Sequence, residues 1–147
     1  MISPHYVEQE KGKHNMALYH KHLIVRAEVN KPFVDPNYVA KVWMPELIER
    51  IGMKILMGPY AVYSDMPGNR GLTAVAIIET SHCVIHCWDE QQPAMIQLDL
   101  YTCGPLDPYD VVESIQLMDP VTIDMKYLDR EHDLIELPIP GLTIPRY

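Results

Sequence analysis

Polar and apolar positions alternate over most of this chain, and the alternation gives way twice to a helical period. In "LYHKHLIVRAEV", Leu23, Val25, Ala27 and Val29 alternate with Ile24, Arg26 and Glu28. That period of two predicts a strand with one wet face. The next stretch, "VDPNYVAKVWMPELIERIG", reads as a helix. Asp35 stands at the N-cap and Pro36 at the first helical position, where a missing N–H costs nothing. Val39, Val42, Leu47 and Ile51 would form its apolar stripe. Pro45 should kink or interrupt it, and Gly52 should end it. "MKILMGPYAVYS" holds one or two short strands, and "DMPGNRG" is a loop by its turn residues. "LTAVAII", "HCVIHCW" and "MIQLDLYTC" read as strands, with "DEQQPA" turning the chain between the last two. "LDPYDVVESIQLM" repeats the helix grammar: Asp107 caps, Pro108 starts, and Val111, Val112 and Ile115 face inward. "PVTIDMKYLDR" is then the last strand.

Strands joined by short turns favour antiparallel pairing. Two amphipathic helices can cover only one face of such a sheet. The expected fold is therefore α+β: a two-layer sandwich, a mainly antiparallel sheet with two helices on one face. The polar stretch 1–17 reads as an arm, 18–137 as one domain, and 138–147 as a proline-rich tail.

Composition narrows the function classes. The chain has 147 residues, 48% of them hydrophobic, which suits a single well-formed core. Its formal charge is −8 and it has no Lys/Arg run, so it offers no electrostatic footprint for nucleic acid or an anionic membrane. A cationic small molecule is a better electrostatic match. No apolar run reaches spanning length, and the start lacks a signal-type apolar segment. A cytoplasmic protein is expected, with Cys83, Cys87 and Cys103 as thiols.

The chemistry concentrates in "AIIETSHCVIHCWDE", which carries Thr80, Ser81, His82, Cys83, His86 and Cys87. As zinc ligands these are badly spaced: on a strand, residues four apart lie roughly 13 Å from each other. One zinc ion with bonds near 2.0–2.3 Å cannot span that, so no metal is expected from them. A second reading makes the cysteines small core residues and the histidines hydrogen-bonded neighbours. A third takes Ser81, His86 and Cys103 as nucleophile, base and acid. Ser81 and His86 have opposite strand parity, so a regular strand points them to opposite faces. They can meet only across a break or bulge, or with a second protomer supplying one of them.

The blocks "GLTAVAIIETSHCVIHCW" and "LDLYTCG" resemble the S-adenosylmethionine decarboxylases of the short prokaryotic type. The likeness extends from "HKHLIV" to "YLDREH". It implies that Ser81 becomes the cofactor: its hydroxyl attacks the Thr80 carbonyl, the chain is cut between Thr80 and Ser81, and a pyruvoyl group remains on residue 81. That ketone would form a Schiff base with the substrate amine and take up the electrons left when CO2 departs. By the same resemblance His86 promotes the elimination step and Thr73 assists processing. Cys103 donates the proton, and Glu90 holds the ribose hydroxyls. The family also implies a homodimer of processed protomers, S-adenosylmethionine as substrate and polyamine synthesis as the destination. No diffusible cofactor is called for. Trp88 matches an aromatic position and reads as packing.

This sequence also departs from the family pattern. Thr80 replaces a glutamate before the scissile bond, and a β-branched residue there changes the backbone strain. Thr73-Ala74 replaces Ser-Gly. The aromatic that stacks the adenine has no counterpart in "YSDMPGNRG"; Asp65 falls in that region and Tyr63 could substitute. The stretch between His86 and Cys103 is about two residues longer than in the family pattern. Two other readings therefore stand beside the first: a pyruvoyl decarboxylase of arginine or ornithine, and an unprocessed paralogue that binds a partner subunit.

Overall fold

The computed structural model describes residues 19–141. The arm 1–17 and the end of the tail lie outside them. The described residues form seven strands: β1 (Lys21–Val29), β2 (Ile55–Ser64), β3 (Gly71–Ile78), β4 (Ser81–Trp88), β5 (Ala94–Thr102), β6 (Pro120–Asp129) and β7 (Ile135–Leu137). They make one sheet in the order β2-β3-β4-β5-β1-β6-β7. Every pairing is antiparallel. The first strand thus inserts between β5 and β6, which places the chemistry-bearing β4 and β5 inside the sheet, where ladders on both sides hold them.

Two helices cover one face. The first, α1, is composite: an α-turn Pro36–Tyr38, a π segment Val39–Trp43 and an α segment Met44–Arg50. The second, α2, is Pro108–Ile115 with a short 3-10 extension, Gln116–Met118. Asp35 and Asp107 cap them as expected, accepting from the amides of Asn37 and Tyr109. Pro45 does not interrupt α1. It has no N–H for the preceding turn, and the helix widens just ahead of it, so that the Met44 amide bonds to the carbonyl of Val39, five residues back. The wider turn rotates the stripe. Val42, expected inside, is 39% exposed, and Trp43, Met44 and Ile48 are buried instead.

The core joins these helical residues to the strand residues of one parity. Leu23, Val25, Ala27, Leu72, Ala74, Ile85, Ile96, Leu98 and Leu100 are all buried with Leu47, Val111 and Ile115. The Trp43 indole donates to the Ser114 carbonyl at 2.9 Å, pinning α1 to α2 inside the core. Two expectations about strands are refined. "MKILMGPYAVYS" is a single strand whose register shifts on either side of Met57. "PVTIDMKYLDR" is followed by one more strand, the short β7.

The other sheet face has the opposite parity and no helix over it among the described residues. Thr73, His82, His86, Asp99, Tyr101, His22 and Arg26 belong to it by register. It also carries exposed apolar side chains, with Val62 63%, Tyr60 62% and Ile77 48% exposed. No helix of the described residues is long and apolar enough to cross a membrane.

Candidate active site

The β3–β4 hairpin turns through Glu79 and Thr80, since Ile78 and Ser81 are the last register partners. Thr80 closes the turn at φ +47°, a left-handed conformation that a β-branched residue seldom adopts. Strain is thus localised at the residue whose carbonyl begins the Thr80–Ser81 bond.

Around that bond the polar atoms converge. The Ser81 hydroxyl donates to the Glu79 carbonyl at 2.7 Å and accepts from the Cys103 amide at 2.9 Å. The Cys103 thiol donates to the same Glu79 carbonyl at 3.1 Å. Cys103 follows the end of β5, next to the start of β4, which is how residues 22 positions apart meet. Cys103 is partly accessible, whereas Cys83 and Cys87 are buried. Burial, aided by the Asp99 charge, pushes the Cys83 thiol up to about 12. Burial likewise raises Cys87 to about 12 against the lowering effect of the Phe33 amide. Those two are inert core residues, and Cys103 is the accessible thiol of the three.

Thr73 and His86 form a separate pair. They are cross-strand partners, and Thr73 Oγ1 and His86 Nδ1 share a hydrogen bond of 2.9 Å. His86 lines a shallow hollow of about 370 Å³ on the bare face, together with Arg26, Gln97 and Asp99. The structure therefore joins Ser81 to Cys103 and Thr73 to His86, but it does not join the two pairs. Five strand residues separate Ser81 from His86, roughly 17 Å, and their parity differs.

A third group lies at the far end of β4. The Glu90 carboxylate accepts from the Gly68 and Arg70 amides at 3.2 and 2.7 Å, closing the loop before β3. Asp89 accepts from the Tyr63 hydroxyl at 2.7 Å and from Arg70 Nε at 2.8 Å. Burial works against the Asp89 charge, but the Arg70 and Tyr63 hydrogen bonds outweigh it and hold the carboxyl below its usual range. Glu90, Trp88, Arg26, Glu28 and Met95 line a hollow of about 350 Å³. Asp65 is exposed on the loop and is not part of that lining, and neither is Tyr63, whose hydroxyl is committed to Asp89.

Sequence reasoning did not single out His22 or Asp99, whose side chains meet His82 on the bare face. The available signal was their polar parity: each sits on the wet side of an otherwise apolar strand. What could not be read was the register that brings β1, β4 and β5 together.

A seven-stranded antiparallel sheet with two helices on one face and a strained, hydroxyl-bearing hairpin defines the class. Residues 21–131 match the S-adenosylmethionine decarboxylase family, and the chain belongs to it. It is 33% identical over 97 residues to a Pyrococcus horikoshii protein described as an S-adenosylmethionine decarboxylase proenzyme, covering 64% of this chain and 65% of that one. A Methanococcus maripaludis protein of the same description is 36% identical over 70 residues, 46% of this chain and 54% of that one. The chain thus spans between about half and two thirds of the length of these curated relatives. The crystal structure of the adenosylmethionine decarboxylase from Aquifex aeolicus superposes with a TM-score of 0.53 at 20% identity, covering 81% of this chain and 94% of that one. At that identity it supports the fold.

Proposed function

We propose that this chain is a self-processing decarboxylase of S-adenosylmethionine, in which Ser81 supplies a pyruvoyl group after cleavage at Thr80–Ser81. The observation that carries the reading is the arrangement at the hairpin tip. A hydroxyl already hydrogen-bonded on both sides adjoins a left-handed Thr80, with a thiol against the same Glu79 carbonyl. Ser81 Oγ attacks the Thr80 carbonyl carbon, the peptide C–N bond breaks, and an ester replaces it. Loss of the Ser81 Cα proton expels the Thr80 carboxylate, and addition of water with release of ammonia leaves the ketone at residue 81. The Glu79 carbonyl and the Cys103 amide orient the attacking oxygen through bonds of 2.7 and 2.9 Å.

When formed, the pyruvoyl group supplies an electron sink for the bond to the departing carboxylate. The chain's own residues do the rest. Cys103, accessible at the tip, holds the proton that replaces CO2. His86, oriented by Thr73, takes up the proton during processing. Because Ser81 and His86 stand roughly 17 Å apart on β4 with opposite parity, we place the working site between two copies, the His86 of one reaching the hairpin tip of the other. The exposed apolar residues Tyr60, Val62 and Ile77 suit such burial. The acidic surface suits a sulfonium cation, and the product would feed polyamine synthesis.

One observation favours a second reading. Glu90 is already occupied by two backbone amides, and the loop has no aromatic for adenine. A pyruvoyl decarboxylase of arginine or ornithine would need neither. Denatured intact mass, beside a Ser81→Ala control, tests processing: fragments 1–80 and 81–147, the latter ending in a ketone, are expected. A single uncut chain would overturn the enzyme reading and favour a partner-binding paralogue. CO2 release from S-adenosylmethionine, and none from arginine or ornithine, separates the two substrates.

A further inference from the structure

On the bare face, three side chains from three neighbouring strands converge on one oxygen. His22 on β1 and His82 on β4 are both register partners of Tyr101 on β5, one on each side. Asp99 lies two residues before Tyr101, on the same face. His22 Nε2 donates to Asp99 Oδ1 at 2.8 Å, and His82 Nε2 donates to the same atom at 2.7 Å. One donor atom from each residue lies within 4.8 Å of the other two. Partial burial opposes the Asp99 charge, but the two histidine hydrogen bonds hold its carboxyl below the ordinary range.

We propose that His22, His82 and Asp99 form a binding site for a late first-row divalent cation, with Zn²⁺ the best match, bridging β1, β4 and β5 at the end of the sheet that carries Ser81. Two imidazoles and one carboxylate are the donor types zinc takes, in the number that leaves a fourth position open. Hard cations such as Mg²⁺ seek all-oxygen shells and fit poorly.

Two of the three ligand–ligand separations are already near what a zinc ion needs. Ligand atoms around a tetrahedral zinc with bonds near 2.0–2.1 Å lie roughly 3.3 Å apart. The two nitrogens must each withdraw from the Asp99 oxygen by only about half an ångström. The three strands are interior members of the sheet, so the backbone that carries the ligands is held by ladders on both sides. Tyr101 also acts as a spacer, its ring centroid 5.8 Å from that of His22 and 5.9 Å from that of His82. The outward side is open, since His82 and Asp99 side chains are 42% and 44% exposed, so water can complete the shell.

Arg130 sets the counterforce. Its Nη1 donates to His22 Nδ1 at 3.3 Å, and its guanidinium lies 4.7 Å over the Tyr101 ring. That contact fixes the His22 proton on Nε2. For Nε2 to bind a cation, the remaining proton must move through solvent to Nδ1, the imidazole staying neutral. Nδ1–H then faces the guanidinium N–H groups, and Arg130 has to swing away. The cation therefore competes with Arg130 as well as with the Asp99 hydrogen bonds. The ligand set comes from three strands, which is why the spacing inside "HCVIHC" gave no sign of it.

The test uses the full-length protein, as purified and then stripped by a chelator. Zn²⁺ is titrated calorimetrically, and Co²⁺ separately with its visible spectrum recorded. Expected are one ion per chain and a four- or five-coordinate Co²⁺ spectrum without a thiolate charge-transfer band. His82→Gln and Asp99→Asn should each weaken Zn²⁺ binding at least tenfold, with far-ultraviolet circular dichroism unchanged. Arg130→Ala should tighten it severalfold, an effect that mere loss of structure does not produce. Absence of saturable binding, a thiolate band, binding that survives His82→Gln, or weaker binding in Arg130→Ala would each overturn the assignment.

Discussion

Replacing Thr80 by glycine tests whether backbone strain drives the proposed cleavage. At φ +47°, a non-glycine residue costs roughly 1–2 kcal/mol over an extended or right-handed conformation. Thr80 is exposed and none of its side-chain atoms appears in a hydrogen bond, so little else is lost with its side chain. Glycine occupies this region freely. If the strain is released as the C–N bond opens, its removal from the folded precursor raises the barrier by the same 1–2 kcal/mol. At about 1.4 kcal/mol per decade, cleavage slows roughly 5- to 30-fold. The unfolded-state entropy of glycine does not enter, because the rate is measured from the folded chain. Alanine, which lacks the β-branch but keeps the left-handed penalty, should fall between the two.

The assay refolds denatured, uncut precursor, quenches samples over time and quantifies the 1–80 and 81–147 fragments. A parallel series in the Ser81→Ala background measures stability by urea. There Thr80→Gly should stabilise the fold or leave it unchanged, since strain relief of about 1–2 kcal/mol meets an entropy cost near 0.5–1 kcal/mol. Cleavage of Thr80→Gly at the parent rate or faster, with no loss of stability in the uncut background, refutes the strain argument.

Three further outcomes are expected. In native protein, iodoacetamide should modify Cys103 and spare Cys83 and Cys87, whose thiols burial holds near 12; peptide mass mapping checks this, and early labelling of Cys83 would contradict the assigned core. Gly71→Ala should destabilise the uncut Ser81→Ala chain by about 3 kcal/mol or more in urea, because at φ +155° its Cβ would overlap the Cys87 carbonyl oxygen, which belongs to the β4 backbone. Asp89 has a folded-state pKa below its unfolded one, so its contribution is complete above about pH 4 and lost as pH falls through the folded value. Asp89→Asn should therefore flatten the acid limb of a stability–pH curve, and an unchanged limb would remove Asp89 from the account.

Much of the fold was legible because its signals are local. Strand parity in Leu23–Val29 and the Asp-Pro starts at residues 35 and 107 need no knowledge of distant chain. The widened turn in α1 was not legible, since proline can be met by a kink, a break or a π turn, and packing chooses among them. Val42 was misplaced for that reason. The insertion of β1 between β5 and β6 is likewise a long-range event. It makes His22 a neighbour of residues near position 100, and no spacing in the sequence records that. The candidate site divides along the same line. The motif residues were named from their resemblance, but which of them touch was set by register: Ser81 with Cys103, and Thr73 with His86.

The position of the proposed scissile bond follows from the same architecture. Inside a strand, a left-handed residue would break ladder hydrogen bonds on both sides and expose them to an apolar core. At the tip of a two-residue turn the ladder has already ended, so strain at Thr80 costs only its own dihedral energy. The interior strands β4 and β5 then hold Ser81, and Cys103 just past the end of β5, on a rigid base. A tip, however, has no residues beyond it. In the proposed reaction the base comes from the sheet surface, where His86 sits with its Thr73 partner on the face that carries no helix among the described residues. Among the described residues both helices lie on the other side, and none of them carries that face over the hairpin. In the proposed mechanism a second copy supplies that base, so a strictly monomeric protein that processes at full rate would overturn it.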